Sequence, residues 1–382
     1  MINDPVAVFF ILALVISLSI WLTDKYSIFQ KIGVALLSIF IAMLLSNIGF
    51  LPGNSPAYDF LRGSGVYAAV ILILLSVDLS TIKRAGPSML KAFSIGAVGS
   101  TIGAIIMAFL LFPALGAEAW KLSGQFAATY IGGGMNFAAI GIAVGTSSNI
   151  FTAALAADVV LASAWMLACL TILALKKPTK REEALTNTDD SRSVDKFSLE
   201  RSLYNSGKPV PLIHITILAA ITFGAIYFSQ LLASWLTFFP TVLWLTTIVI
   251  ILGQVPAVKK LYGSALFGNY FLLLFLASNG ARSIIKNIIS VGPAVFYFAL
   301  GALIIHAIII FSIGRLMRID LGTIAIASSA NVGGPTSALV LASVGKGRYV
   351  DRLLPGLIAG LLGYGVGNYV GLGVANLMKN IL

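Results

Sequence analysis

Two short glycine-rich segments at corresponding places along the chain carry the residue types that point most clearly to chemistry. The first is Gly-Gly-Gly at 132–134 and the second is Gly-Gly-Pro at 333–335. Three glycines weaken a helix by roughly 3 kcal/mol relative to alanine, and an interior proline costs about 3 kcal/mol because it lacks a backbone donor. Both segments are therefore predicted to break a helix, which leaves backbone groups free to bind a solute or an ion.

Small polar side chains surround both breaks, and they extend the candidate site beyond the glycines. The predicted solute-binding residues are Thr129, Tyr130, Gly133, Gly134, Asn136, Ser329, Asn331, Gly333, Gly334 and Thr336, with Ser328 and Ser337 beside them. An alternative is that glycines and small polar residues only allow helices to pack closely.

Asp158 is the only charged residue between Lys121 and Lys176, within an apolar stretch. An ionised carboxylate in the bilayer costs at least about 3 kcal/mol, so a cation or a proton must compensate it. We expect Asp158 to bind a coupling ion, sodium or a proton, together with Asn136 and Asn331. The alternative is a structural acid that hydrogen-bonds a neighbouring helix. No other metal and no organic cofactor is expected.

The remaining polar residues favour ordinary structural roles. His306 and His214 are interpreted as packing or hydrogen-bonding residues, and Asn279 and Asp78 as residues near loops. The single Cys169 excludes a disulfide framework and a cysteine metal site. No protease motif and no nucleophile with a base nearby is present, so the chain is not expected to be an enzyme.

The composition defines the elements that must position these residues. The chain has 382 residues, of which 58% are hydrophobic and 10% charged, whereas soluble domains carry about 25% charged residues. Basic residues flank apolar stretches singly or in pairs, which is typical of membrane loops and not of a nucleic-acid surface. The partners expected are the lipid bilayer, a small-molecule solute and a second copy in a homodimer. The first apolar stretch is expected to be a retained membrane span and not a cleaved signal.

The predicted fold is all-α, a polytopic membrane protein of about 11 to 13 transmembrane helices. Spans are placed near 5–22, 32–50, 65–80, 88–112, 123–145, 150–175, 210–233, 239–256, 263–281, 289–314, 322–345 and 354–378. The charged segment 176–208 is a polar linker between an N-terminal repeat, 1–175, and a C-terminal repeat, 209–382. A shift of 200 residues aligns 133–145 with 333–345, with five of thirteen positions identical.

This pattern resembles the cation-proton antiporter and anion transporter superfamily, which includes bile acid sodium symporters, glutamate symporters and auxin carriers. Within it, the segments Tyr-Ile-Gly-Gly-Gly-Met-Asn at 130–136 and Ser-Ala-Asn-Val-Gly-Gly-Pro-Thr at 329–336 resemble a YjcL-like uncharacterised bacterial membrane family. The resemblance implies two inverted repeats, crossed discontinuous helices, and a core that moves against a panel domain. An aspartate follows the broken helix in the antiporters, and Asp158 has a similar place.

The basic residues give a topology that conflicts with inverted repeats. Lys25, Lys83 and Lys259 place their loops on the cytoplasmic side. Twelve full crossings would then put the basic linker outside and make the halves parallel, because inverted halves need an odd number of crossings each. The sequence alone therefore leaves the number of crossings open.

The expected function is secondary active transport of a small, anionic organic solute, coupled to sodium or protons, by alternating access in the bacterial inner membrane. Helix N-termini at the breaks favour a negative charge. The alternatives are a channel, since broken helices also line pores, and a non-transport membrane protein.

Overall fold

The computed structural model describes residues 4–26, 28–29, 33–77, 79–176, 209–236, 240–342 and 348–382. These residues form helices and their connections, with no strand among them. The predicted polar linker, apart from Lys176, lies outside the described residues, as does Asp78.

Sixteen α-helices are numbered here in chain order over the described ranges. The first nine are α1 Pro5–Lys25, α2 Val34–Asn47, α3 Pro56–Phe60, α4 Val66–Leu74, α5 Ile82–Ala85, α6 Pro87–Leu115, α7 Glu118–Gly132, α8 Gly134–Ala143 and α9 Ser148–Leu175. The others are α10 Leu212–Trp235, α11 Thr241–Leu252, α12 Pro256–Lys259, α13 Ser264–Ala281, α14 Ile285–Leu316, α15 Leu321–Ala342 and α16 Leu353–Ile381. A π-helical turn, Leu61–Gly65, joins α3 to α4.

Nine helical segments within the described residues are long and apolar enough to cross a membrane. Three further apolar helices, α2, α8 and α11, are shorter. Apolar helices dominate because backbone polar groups inside a bilayer must be satisfied within their own segment. The prediction of a helical, multi-pass membrane protein is therefore confirmed.

The chain reverses direction between α7 and α8. Gln125 Nε2 donates to the Phe137 carbonyl at 3.2 Å, and Lys121 Nζ donates to the Gly145 carbonyl at 3.1 Å. Since these partners lie on opposite sides of Gly133 in sequence, α8 runs back along α7. We name α7 and α8 together the first hairpin.

A second reversal lies within α15, at Gly334. A Cβ built on Gly356 of α16 would lie 2.7 Å from Ile326 Cγ2 and 3.3 Å from Ala338 Cβ. Residues twelve apart in a straight helix are about 18 Å apart, so one residue could not touch both unless the helix folded back. We name α15 the second hairpin.

The predicted spans 123–145 and 322–345 are therefore not single crossings, since each contains a reversal. The sequence indicated where each helix stops but not the direction in which the chain leaves. One consequence is that α6 and α14 pack antiparallel. Built Cβ atoms at Gly99 and Gly103 of α6 would lie 3.1 Å from Ile309 Cβ and 3.1 Å from Ala302 Cα of α14.

The helices fall into two packed groups. The first, which we name the core group, comprises the two hairpins with α6, α9, α14 and α16, and the outer group comprises α1–α4, α10, α11 and α13. The short α5 packs on α16. Packing is extensive within each group and sparser between them. The candidate residues of both breaks and Asp158 all belong to the core group.

Candidate solute and ion site

Both hairpin tips depend on a glycine with a positive φ. Gly133 has φ 89° and ψ −177°, and Gly334 has φ 74° and ψ −165°. A side chain makes this region of backbone space strongly unfavourable, so these two positions require glycine. Pro335 then begins the returning segment, where its fixed φ suits the first turn of a helix and its missing N–H costs nothing.

The two tips contact each other through their backbones. A Cβ at Gly133 would lie 3.5 Å from Gly334 Cα, and a Cβ at Gly334 would lie 3.5 Å from the Gly132 carbonyl oxygen. Gly132 in turn packs directly on the Gly363 carbonyl of α16. The two glycine segments that the sequence singled out therefore form one junction.

Asp158 lies against the last turn of α7, next to the first tip. Its side chain is 5% exposed, and its Oδ2 accepts a long hydrogen bond of 3.4 Å from Thr129 Oγ1. Its other oxygen, Oδ1, is buried and has no hydrogen-bond partner among the residues that the structure describes. A buried carboxylate with one weak donor is poorly compensated, so the position favours binding of a proton or a cation.

The two asparagines that were predicted to bind the ion, Asn136 and Asn331, donate instead to backbone carbonyls. Asn136 Nδ2 donates to the Gly363 carbonyl of α16 at 2.9 Å, while its buried Oδ1 has no partner. The Asn331 amide, oriented so that its nitrogen meets acceptors, donates to the carbonyls of Ala327 and Phe93 at 3.1 and 3.3 Å. No hydrogen bond joins either asparagine to Asp158. The structure thus brings Thr129 to Asp158 but leaves Asn136 and Asn331 on separate contacts.

A cleft opens beside the second tip, between the core group and the outer group. Its volume is about 330 Å³ including its mouth. Its lining is Ile73, Ser76, Ala265, Asn269, Pro335, Thr336, Leu361 and Tyr364. Thr336 was a predicted solute-binding residue, whereas Ser76, Asn269 and Tyr364 were not. Sequence reasoning missed these three because they come from separate helices, and only the tertiary fold brings them to Thr336.

The other candidate residues near the tips range from buried to exposed, and two of them donate to backbone carbonyls. Tyr130 Oη donates to the Ala299 carbonyl at 3.4 Å, and Ser337 Oγ donates to the Gly333 carbonyl at 3.0 Å. Ser329 is 2% exposed, within the second hairpin. A Cβ on Gly134 would meet no atom within 4 Å, so that glycine is not required by packing.

Two residues given structural interpretations lie at interhelical hydrogen bonds. Asn279 Nδ2 donates to Thr152 Oγ1 at 3.2 Å, which ties α13 to α9. His306 is fully buried in α14 and contacts Ser100 and Ser328, each of which lies near a hairpin tip. Within the described part of the chain, no three His, Cys, Asp or Glu residues group as a metal site.

Comparison with known proteins assigns the chain to a family. A family model described as "Protein of unknown function (DUF819)" matches residues 10–381. The chain is also 28% identical over 381 residues to "Uncharacterized membrane protein YjcL" of Bacillus subtilis (strain 168), covering 96% of this chain and 95% of that relative. The match extends over both hairpins and both helix groups.

Proposed function

The chain belongs to the DUF819 family, and from that premise we propose that it is a secondary active transporter for a small, anionic organic solute. Transport would be coupled to sodium or protons and would proceed by alternating access. The observation that carries the proposal is the junction of the two hairpin tips inside the core group, with a buried acid beside one tip and a cleft beside the other.

The strongest support for a transport role is the pair of interrupted helices. Irregular backbone inside a bilayer is stable only where protein or a water-filled cavity satisfies it. In transporters such breaks supply the binding groups for solute and ion. A purely structural membrane protein gains nothing from two glycine-dependent reversals that meet.

Inverted repeats would explain how the hairpins meet. In this arrangement each half would have five crossing segments and one hairpin, with the short α2 and α11 counted as crossings. The crossings are α1, α2, α3–α5, α6 and α9 with the first hairpin, and α10, α11, α13, α14 and α16 with the second. An odd number of crossings inverts the second half relative to the first. The antiparallel packing of α6 on α14, the fourth segment of each half, supports this relation.

The contacts between halves support the same relation because they occur in exchanged pairs. The first hairpin packs on α16 as the second packs on α9, and α2 packs on α13 as α11 packs on α4. The pairs α1 with α13 and α10 with α4 are related in the same way.

If each hairpin reverses the chain and does not cross the membrane, the conflict between the basic residues and inverted repeats also disappears. With each hairpin entering and leaving at one face, a single face carries Lys25, Lys83, Arg84, Lys91, Lys176, Lys259, Lys260, Arg315, Arg318, Arg348 and Arg352. The opposite face has only Arg62, Lys121, Arg282, Lys286 and Lys379 among the described residues. By the positive-inside rule the first face is cytoplasmic, in a bacterial cell membrane.

The ion and the solute would bind at different hairpins. Asp158, with Thr129, is the candidate for the coupling ion at the first tip. The cleft at Thr336 is the candidate solute site, and the helical segments that start at Gly134 and Pro335 direct N-terminal N–H groups toward the tips. This arrangement favours an anion.

A ligand screen of the purified protein tests the proposal. Thermal stability would be measured in lipid nanodiscs against organic anions, with sodium or with potassium, between pH 5.5 and 8.5. A stabilising anion whose effect depends on sodium or pH is the expected result, since only ligands that bind the folded state raise stability.

Proteoliposomes then separate a carrier from a channel. A carrier saturates and exchanges labelled for unlabelled solute by counterflow, whereas a channel shows conductance without counterflow. Conductance alone, or the absence of any stabilising anion together with no ion dependence, would contradict the proposal.

A further inference from the structure

His306 lies between the two hairpins, at the centre of a buried hydrogen-bond network. Its Nδ1 is 3.0 Å from the Gly96 carbonyl oxygen and 2.9 Å from Ser100 Oγ, both on α6. Its Nε2 is 2.8 Å from Ser328 Oγ on the second hairpin. Each ring nitrogen therefore faces a different helix.

Counting donors and acceptors assigns the tautomer. Trp165 Nε1–H donates to Ser328 Oγ at 3.0 Å, and Ser100 Oγ–H donates to the Tyr130 carbonyl at 2.6 Å. If Nδ1 carries the proton and donates to Gly96, Nε2 accepts from Ser328 and every group has a partner. With the proton on Nε2, the Gly96 carbonyl would face an unprotonated nitrogen, and Ser100 would have to turn its proton away from the Tyr130 carbonyl to give Nδ1 a donor.

The network reaches both tips. Tyr130 is three residues before Gly133, and its carbonyl is one that the break leaves without a helical N–H partner. Ser100 supplies that partner. Ser328 lies six residues before Gly334 in the outgoing segment of the second hairpin. The hydrogen bonds to α6 and α14 thus hold the two outgoing segments at fixed positions.

Trp165 extends the network to the helix that carries Asp158. The two residues are seven apart on α9, which is about two helical turns and places them on one face. The Trp165 ring also packs edge-on to the His306 ring, with centroids 6.2 Å apart. Contacts therefore run from α9 through Ser328 to the second hairpin.

We propose that His306 is a positioning residue that sets the register of the two hairpin tips against each other, donating through Nδ1 toward the first hairpin and accepting through Nε2 from the second. The role depends on two directional hydrogen bonds and not on the size or charge of the ring. It does not depend on the identity of the ion or solute, so it stands or falls separately from the transport proposal.

Backbone hydrogen exchange in nanodiscs at one fixed pH tests this role. For His306→Ala we expect exchange of the amides in 129–136 and in 329–336 to rise together by about tenfold, because Ser328 loses its hydrogen bond to Nε2 and Ser100, which bonds the Tyr130 carbonyl, loses its contact with Nδ1. Exchange in α1, remote from the network, should stay unchanged. His214→Gln is the matched control, because His214 Nδ1 accepts from the Tyr262 N–H at 3.0 Å and contacts neither hairpin.

Two conservative variants separate positioning from general stability. The Asn amide of His306→Asn reaches the place of Nδ1 and should restore protection at 129–136 only. The Gln carbonyl of His306→Gln reaches the place of Nε2 and should restore protection at 329–336 only. A uniform rise in all helices, a rise at one segment in His306→Ala, or identical rescue by Asn and Gln would overturn the proposal.

If His306→Ala does not fold, Ser100→Ala and Ser328→Ala test the two arms singly. Each should raise exchange at its own segment, 129–136 or 329–336, and leave the other protected. Equal effects on both segments from either variant contradict the assignment.

Discussion

The two hairpins share one backbone design but differ in what surrounds their tips. Gly133 and Gly334 have nearly the same dihedral angles, and they touch. The first hairpin is buried from Leu122 to Gly141 except at the exposed Gly134, and its Thr129 and Asn136 hydrogen-bond Asp158 and α16. The second borders an open cleft lined in part by the outer group. In the proposed mechanism, the ion would bind at the first tip and the solute at the second.

The largest effect is expected from substitutions at the tip glycines that both hairpins share. Gly133→Ala and Gly334→Ala each force a side chain into backbone angles that cost about 1–3 kcal/mol. We expect both variants to lower the unfolding temperature in detergent by similar amounts. Gly373→Ala is the control, because its Cβ would meet no atom within 4 Å. An unchanged melting temperature in either tip variant would show that the tips do not need glycine.

The second-largest effect is expected from a variant that distinguishes ion binding from solute binding. Asp158→Asn removes the buried charge but keeps the shape, so sodium- or pH-dependent stabilisation should disappear while the fold is retained or strengthened. Melting curves across pH and sodium concentration measure this.

Asp320→Asn is the contrasting variant. Asp320 pairs with Lys176 at 2.5 Å and with Arg352 at 3.2 Å, beside the ends of α9, α15 and α16. Its loss should reduce stability yet leave the ion dependence intact. Equal loss of ion dependence in both variants would remove Asp158 from its assigned role.

A smaller effect should appear in the cleft alone. Thr336→Ala removes one hydroxyl from the lining, which is worth about 1 kcal/mol or roughly fivefold in affinity. Isothermal titration with the anion found by screening should show weaker binding with unchanged ion dependence. Ser337→Ala is the matched control, because that hydroxyl bonds its own helix at Gly333. Weaker binding in Ser337→Ala alone would move the solute site away from the cleft.

The sequence predicted the helical membrane fold and the positions of the interruptions, because both depend on local composition. Apolar length indicates a span, and consecutive glycines with proline indicate a break. The direction of the chain after Gly133 depends on contacts such as Gln125 with Phe137, which only the folded chain defines. For that reason the sequence led to twelve crossings and a conflict with the basic residues.

Part of the candidate site could also be predicted from the sequence, because it too depends on local composition. Asp158 was found because a lone carboxylate among apolar residues has few structural explanations, and the structure places it at Thr129. Its ion-binding role, the homodimer and the solute remain predictions. A shift of 200 pairs Gly134 with Gly334, whereas the positive φ angles belong to Gly133 and Gly334. Three glycines in a row make these alternatives indistinguishable in sequence.

In the proposed transporter, the meeting of the two hairpin tips would also have an electrical consequence. Where aqueous access reaches the tips from either face, the membrane potential falls across a thin layer of protein and not across the full bilayer. Since moving one charge through 100 mV is worth about 2.3 kcal/mol, a cation that reaches Asp158 would exchange much of that energy within a few ångströms. Small displacements of the tips would then be sensitive to voltage.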